Sequence, residues 1–263
     1  MQRRRFLQST LAGALGALCP AIGAAALAAP GAPAYIAAAV ADPGRPEADT
    51  KRDAGRKPAE VLAFAGVKPG DKVIELDPGP LYFTRILSRT VGPRGRIYAY
   101  VPFDLDELYR KNNIAVPPQP EPNYPNVTFL YEPIAKVHAP EPADVVWTTD
   151  NVHDFHNKLF GPADMAAVTA AVYRALKPGG VYIVGDHAAQ PGSGVRDTET
   201  LHRIDPATVK AEALAAGFVF EGESQALRNP ADDHTKRVFD ASIRGATDRF
   251  LFKFRKPGGR PAR

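Results

Sequence analysis

Thiols are almost missing from this chain. Its one cysteine, Cys19, lies in an N-terminal stretch that reads as a removable leader. The mature protein is therefore expected to carry no thiol, which excludes disulfides and thiolate catalysis. The leader starts with Arg3-Arg4-Arg5-Phe6-Leu7-Gln8, two arginines, any residue, then Phe-Leu and a polar residue. An uncharged Ala/Gly/Leu-rich run over residues 11–29 follows, with Ala26-Leu27-Ala28 as an A-x-A cleavage site. The expectation is a twin-arginine signal peptide over 1–28, export of the folded chain and a periplasmic location. The run's small residues argue against an uncleaved membrane anchor. Leu18, where a small residue is wanted, argues against a lipoprotein signal at Cys19.

An excess of one charge is missing too. Three of the 33 basic residues and none of the 29 acidic ones precede residue 29, so the mature chain carries about +1. No basic face is implied, and nucleic acid is not an expected partner. No second apolar run approaches spanning length. About 235 residues remain after the leader, enough for one α/β domain with an ample core.

Glycine is scarce where it matters most. Residues 66–102, GVKPGDKVIELDPGPLYFTRILSRTVGPRGRIYAYVP, read as turn, buried strand, glycine-bearing loop, amphipathic helix, turn and second strand. That is the opening of a dinucleotide- or nucleoside-binding α/β sheet. The usual loop is acid–apolar–Gly–x–Gly–x–Gly, but Glu75-Leu76 is followed here by Asp77-Pro78-Gly79-Pro80-Leu81. Pro80 offers no N–H. Leu81 is expected to put bulk where a ligand passes close to the backbone, which weakens binding.

Along the rest of the chain, residues 29–46, rich in Ala, Pro and Gly, read as a linker, 47–256 as the domain and 257–263 as a tail. A short helix is expected within 46–65. Strands are expected over 72–76, 96–101, 127–131, 144–149 and 181–184, and Phe83, Ile86, Leu87 and Val91 share one helical face between the first two. The proline-rich residues 117–125 form an extended loop. Gly161-Pro162 opens a helix with Met165, Val168, Val172 and Leu176 on its buried face. Residues 188–197, with Gly192-Ser193-Gly194, read as flexible. Asp205 caps a helix that Gly217 stops. Segments 218–223 and 249–255 read as an antiparallel pair at the sheet edge. The alternation of strands and helices predicts a mainly parallel sheet with helices on both faces.

In such sheets ligands bind beyond the carboxyl ends of the strands. Three loops then matter: 77–81, 150–157 and 186–188. The first brings Asp77 and Gly79, with Glu75 facing the site from the strand end. The second, Asp150-Asn151-Val152-His153-Asp154-Phe155-His156-Asn157, supplies a base near neutral pH in His153, an orienting acid in Asp154 and an amide in Asn151. The third adds Asp186 and His187. His153, His156, His187 and His202 all fall on this edge and permit a metal site, although the residues name no ligand set. Ser193 has no nucleophile elbow around it, which argues against a serine hydrolase.

GVKPGDKVIELDPG, ADVVW and LKPGGVYIV resemble the class I S-adenosylmethionine-dependent methyltransferases. RKPAEVLAFAGVKPG, NVHDFHN, DHAAQPGSG, TLHRIDPATVKAEALAAGF and VFDASIRGATDRFLFKFRKP are similar to segments of an exported bacterial subgroup of predicted methyltransferases. The resemblance implies a Rossmann-like sheet of seven strands, six parallel and one antiparallel. It assigns Glu75, Asp77 and Gly79 to the S-adenosylmethionine loop and Glu132 to the neighbourhood of the adenine. The acid expected after the second strand is missing, with Asp104 as the substitute. It further implies methyl transfer to a small molecule, with Asn151, His153 and Asp154 positioning and deprotonating the acceptor and Asp186 and His187 completing the pocket. Two other readings are a non-catalytic binding protein that keeps the fold and a metal-dependent enzyme built on the histidine loop.

Overall fold

The computed structural model describes residues 31–102, 120–158 and 162–258. The leader, Asp104 and Gly161 lie outside the described residues. Helices α1 (Ala34–Val40), α2 (Glu47–Thr50), α3 (Asp53–Arg56) and α4 (Pro58–Ala65) precede the first strand. Then come β1 (Lys72–Leu76), α5 (Tyr82–Val91), β2 (Arg96–Pro102), β3 (Val127–Glu132), β4 (Ala143–Thr149) and α6 (Val152–Phe155). The chain continues with α7 (Met165–Ala175), β5 (Leu176–His187), α8 (Pro206–Ala215), β6 (Val219–Glu223) and β7 (Arg249–Arg255). The seven strands form one sheet in the order β3-β2-β1-β4-β5-β7-β6. Every pairing is parallel except those of β7, which runs against both β5 and β6. The expected sheet is present, and β7 is its antiparallel member.

Alternation along the central strands feeds two cores. Ile74, Tyr98, Val146 and Val184 pack under α7 and α8 on one face. Val73, Ile97, Val145, Trp147 and Ile183 pack under α1, α4 and α5 on the other. Burying an aliphatic or aromatic side chain is worth about 1.5–3 kcal/mol. Because nine of the ten residues of α5 are buried, that helix anchors the β1 end of the sheet.

The linker expected over 29–46 is corrected by α1. Ile36 is fully buried and Ala39 nearly so, both against α4 and α5. The Tyr35 hydroxyl donates to the Val67 carbonyl, and Arg89 pairs with Asp42 at 2.6 Å. Ile36 and the small Ala39 form the buried face of this helix, so a linker-like composition here encodes packing. The single helix expected within 46–65 is three helices. The helix expected from Pro162 starts at Met165, where Asp164 accepts from the Ala167 N–H as N-cap. Leu176, expected on that helix, opens β5.

Residues 188–197 are pinned rather than flexible. Ala188 bridges Ile204, and the Asp205 carboxylate accepts from the Gly192 N–H at 2.7 Å while also capping α8 through the Ala207 N–H. Within the proline-rich loop, Glu121 accepts from Arg85 at 2.9 Å and Tyr124 is buried, so this part is tied to α5. Among the described residues no helix is long and apolar enough to cross a membrane.

Candidate active site

Strands β1, β4 and β5 are adjacent, so the loops that follow them meet at one edge. The loop after β1 keeps a shape that its sequence disguises. Asp77, Gly79 and Leu81, the three positions where this loop type carries glycine, all have left-handed backbones, with φ of 48°, 50° and 66°. For Asp and Leu that conformation is strained by about 1–2 kcal/mol per residue. A Cβ added to Gly79 would meet nothing within 4 Å, so the backbone there is open to close approach. Leu81 corrects an expectation: it is buried at the start of α5 and does not line the cavity. Pro80 does line it, and its carbonyl accepts from Arg85 at 3.0 Å.

The cavity over this loop is bounded by Glu75, Asp77, Pro78 and Gly79, by Tyr82 and Phe83 of α5, by Trp147 of β4, and by Asp150, Asn151 and Asp154. Arg56 enters from α3. Glu75 is buried with Oε2 unpartnered, and the neighbouring Thr84 hydroxyl does not reach hydrogen-bond geometry. Burial pushes the Glu75 carboxyl up to about 8. Asp77 is raised to about 7, by burial first and then by the charge of Asp154. Burial would raise Asp150 as well, but Arg56 (2.8 Å) and Arg249 (3.5 Å) outweigh it and hold this carboxyl well below the usual range. The Arg56 guanidinium also lies over the Tyr82 ring, 4.7 Å from its centroid.

A second group sits behind the β4 and β5 ends. Asp186, fully buried, accepts from the His153 backbone N–H and from its Nδ1–H, both at 2.8 Å. Burial alone would lower the His153 ring; the Asp186 charge and hydrogen bond reverse this and raise it to about 9. His153 Nε2 lies 3.3 Å from Asp154, and His202 Nδ1 approaches the same oxygen at 3.7 Å. Burial lowers His187 to about 4, and its Nδ1 shares a hydrogen bond with Thr247.

The structure thus brings Glu75, Asp77, Gly79, Asn151 and Asp154 to one cavity, and places His153, Asp186 and His187 just behind it. Asn151 has a different job from the expected one. Its Nδ2 donates to the Leu76 and Asp77 carbonyls at 3.1 and 2.8 Å, and its Oδ1 accepts from Thr148, so its amide is spent on joining two loops. Glu132 ends β3, two strands from β1 and opposite Pro102, and does not line the cavity. His156 faces Glu212 at 3.3 Å, away from the other histidines. Sequence reading missed Arg56 and Arg249. The signal for Arg249 was its place at the start of β7, where antiparallel pairing sets it opposite His187. Arg56 ends α3, a short charged helix whose sequence gave no signal.

Solved structures share this architecture at low identity. The [4+2]-cyclase SpnF matches at 15% identity over 81% of this chain and 82% of its own, with a TM-score of 0.51. An S-adenosylmethionine-dependent methyltransferase from Mesorhizobium loti matches at 14% identity, over 76% of this chain and 97% of its own, at 0.50. A chain of the complex between the Haloferax volcanii Trm112 methyltransferase activator and a methyltransferase matches at 16%, over 85% and 98%, at 0.50. The fold is that of the class I S-adenosylmethionine-dependent methyltransferases. No protein-family profile and no curated protein sequence matches the chain. The cyclase among the similar structures shows that this fold does not by itself fix the reaction.

Proposed function

We propose that this protein is an S-adenosylmethionine-dependent methyltransferase acting on a small molecule. The observation that carries the reading is the loop after β1. It holds three alternate left-handed residues although two are not glycine, leaves open space over Gly79, and stands beside a buried carboxyl with an unpartnered oxygen. Backbone strain of this kind persists where the surroundings enforce it, and it gathers at ligand sites. The donors around the cavity match the groups of the cofactor. Arg56 has N–H donors beyond those on Asp150 for a carboxylate, while the carboxyl oxygens of Glu75 and Asp77 on the cavity wall would accept from its ammonium or hydroxyl groups.

When bound, S-adenosylmethionine supplies an electrophilic methyl group on a sulfonium. The protein's part is to hold the acceptor in line, exclude water and accept a proton. Asp154 both lines the cavity and touches His153, so the acceptor's proton goes to Asp154, with the His153–Asp186 pair behind it adjusting the charge.

Titration calorimetry with S-adenosylmethionine tests the reading. Saturation at one site per chain is expected. Leu81 is buried and does not line the cavity, so the missing Pro80 N–H is the remaining defect, and a net 0.5–1.5 kcal/mol predicts binding about 2- to 13-fold weaker than an intact loop would give. Absence of binding at millimolar ligand overturns it. Export belongs to the same proposal: changing Arg3→Lys together with Arg4→Lys should hold the precursor in the cytoplasm, and normal export of that variant rules out the twin-arginine route.

A further inference from the structure

We infer that His153, Asp154 and His202 form a binding site for a divalent transition metal of the zinc class, beside the cavity. The site shares His153 and Asp154 with the proposed methyl-transfer reading but does not depend on it. One ring nitrogen from each histidine and one carboxylate oxygen all lie within 4.8 Å of one another. Two of the separations, 3.3 Å from His153 Nε2 to Asp154 and 3.7 Å from His202 Nδ1 to the same oxygen, fit a ligand shell. Zinc bonds of about 2.0–2.1 Å at tetrahedral angles place neighbouring ligand atoms roughly 3.3–3.5 Å apart. The third separation, between the two imidazole nitrogens, is within 4.8 Å, so closing the triad on the metal draws the rings together.

Two further observations point the same way. Metal-bound histidines almost always donate their other ring N–H to a carboxylate or carbonyl, which fixes the tautomer and ring angle. His153 has this arrangement, since its Nδ1–H is held by the fully buried Asp186 and Nε2 is left facing Asp154. His202 in turn has a left-handed backbone, φ 55°, an unusual conformation for a residue with a side chain, and its ring meets His153 edge-on at 5.3 Å. Two imidazoles and one carboxylate suit zinc and its first-row neighbours rather than magnesium or calcium. Three protein ligands leave a fourth position for an oxygen or nitrogen of a small molecule, the mark of a catalytic rather than a structural zinc site. Asp154 lines the cavity, so that position opens toward it.

The geometry also carries a specific requirement. Arg237 Nη2 now donates toward His202 Nε2 at 3.1 Å. Coordination through Nδ1 puts the ring proton on Nε2, so the exposed Arg237 guanidinium must swing away.

Zinc binding to the full chain, without S-adenosylmethionine, tests the site by equilibrium dialysis with metal analysis. One zinc per chain is expected in the wild type. His202→Asn, which keeps a side chain tolerant of the left-handed backbone, and Asp154→Asn should each weaken binding at least about 100-fold. Asp186→Asn should weaken it about 10- to 100-fold by releasing the His153 ring. Arg237→Gln, a surface change that leaves folding intact, should tighten it several-fold. The inference is overturned by a wild type that takes up no stoichiometric zinc, by His202→Asn binding as the wild type does, or by weaker binding in Arg237→Gln.

Discussion

The cavity over β1 and the histidine group behind β4 and β5 lie side by side, yet they encode their properties differently. In the cavity loop two of the three usual glycines are gone, while the backbone they would have allowed is retained at Asp77, Gly79 and Leu81. In the histidine group the residues carry the chemistry openly, and what makes them a unit is a buried carboxylate, Asp186, fixed one strand away from the histidine it orients. The first region is a shape that survives loss of its usual residues. The second is a set of residues that becomes a site only through the fold.

The largest effect that can separate the two regions should come from Arg203. It is fully buried, pairs with Asp232 at 2.9 Å and donates to the Ala188 and Lys236 carbonyls, so it ties the end of β5 to the β6–β7 connection around the histidines. Removing one partner of such a pair costs about 3–5 kcal/mol. Arg203→Ala should lower Tm by roughly 6–20 °C in a scan, since about 2–4 °C is lost per kcal/mol in a domain of this size. The β1 loop should survive in whatever remains folded. A fall in Tm of under 2 °C would show that the two regions do not differ in this way.

Protonation separates them next. Glu75 is held near 8 against an ordinary 4.5, so folding favours its protonated form, and stability falls as pH rises from 4.5 through 8. His153 is held near 9 against 6.5, so its contribution is complete below 6.5 and is lost as pH rises through 9. Glu75→Gln should therefore gain on the wild type between pH 5 and 8, by on the order of 2–4 kcal/mol, and flatten the stability curve there. His153→Gln should flatten the curve between 6.5 and 9 instead. Denaturant midpoints measured from pH 5 to 10 separate the two, since only Glu75 acts between 5 and 6.5 and only His153 between 8 and 9; profiles altered over one and the same range in both variants would dissolve the distinction.

How much of this was legible in the sequence follows from what carries each feature. The bounds of β1 and the face of α5 could be read because apolar periodicity and flanking turns set them locally. The α1 helix could not, because its alanines and prolines look like a linker until Ile36 has a core to enter. Asp77, Gly79 and Asp154 were visible as candidates, but Asn151 was misread because its amide partners lie some 75 residues away. Arg249 reaches the Gly55 carbonyl 194 residues back along the chain, a proximity that only the closed sheet creates.

The smallest effects test strain in the β1 loop itself. Leu81→Gly relieves a left-handed backbone but empties a buried position, so a net loss of about 1–2 kcal/mol is expected. Asp77→Gly relieves strain and removes a burdened acid, so a gain of about 0.5–1 kcal/mol is expected. Chemical denaturation reads both, and equal signs would break the account of the loop.

The claim at the centre is that the open backbone at Gly79 exists for a ligand. Calorimetric titration of the wild type and of Gly79→Ala with S-adenosylmethionine tests it most directly. A Cβ there meets no protein atom, so the fold should lose only about 1–2 kcal/mol to the left-handed backbone. Saturable one-site binding by the wild type, weakened at least tenfold in folded Gly79→Ala, is the predicted result. Equal affinity in the two proteins, or no binding in either, would contradict it.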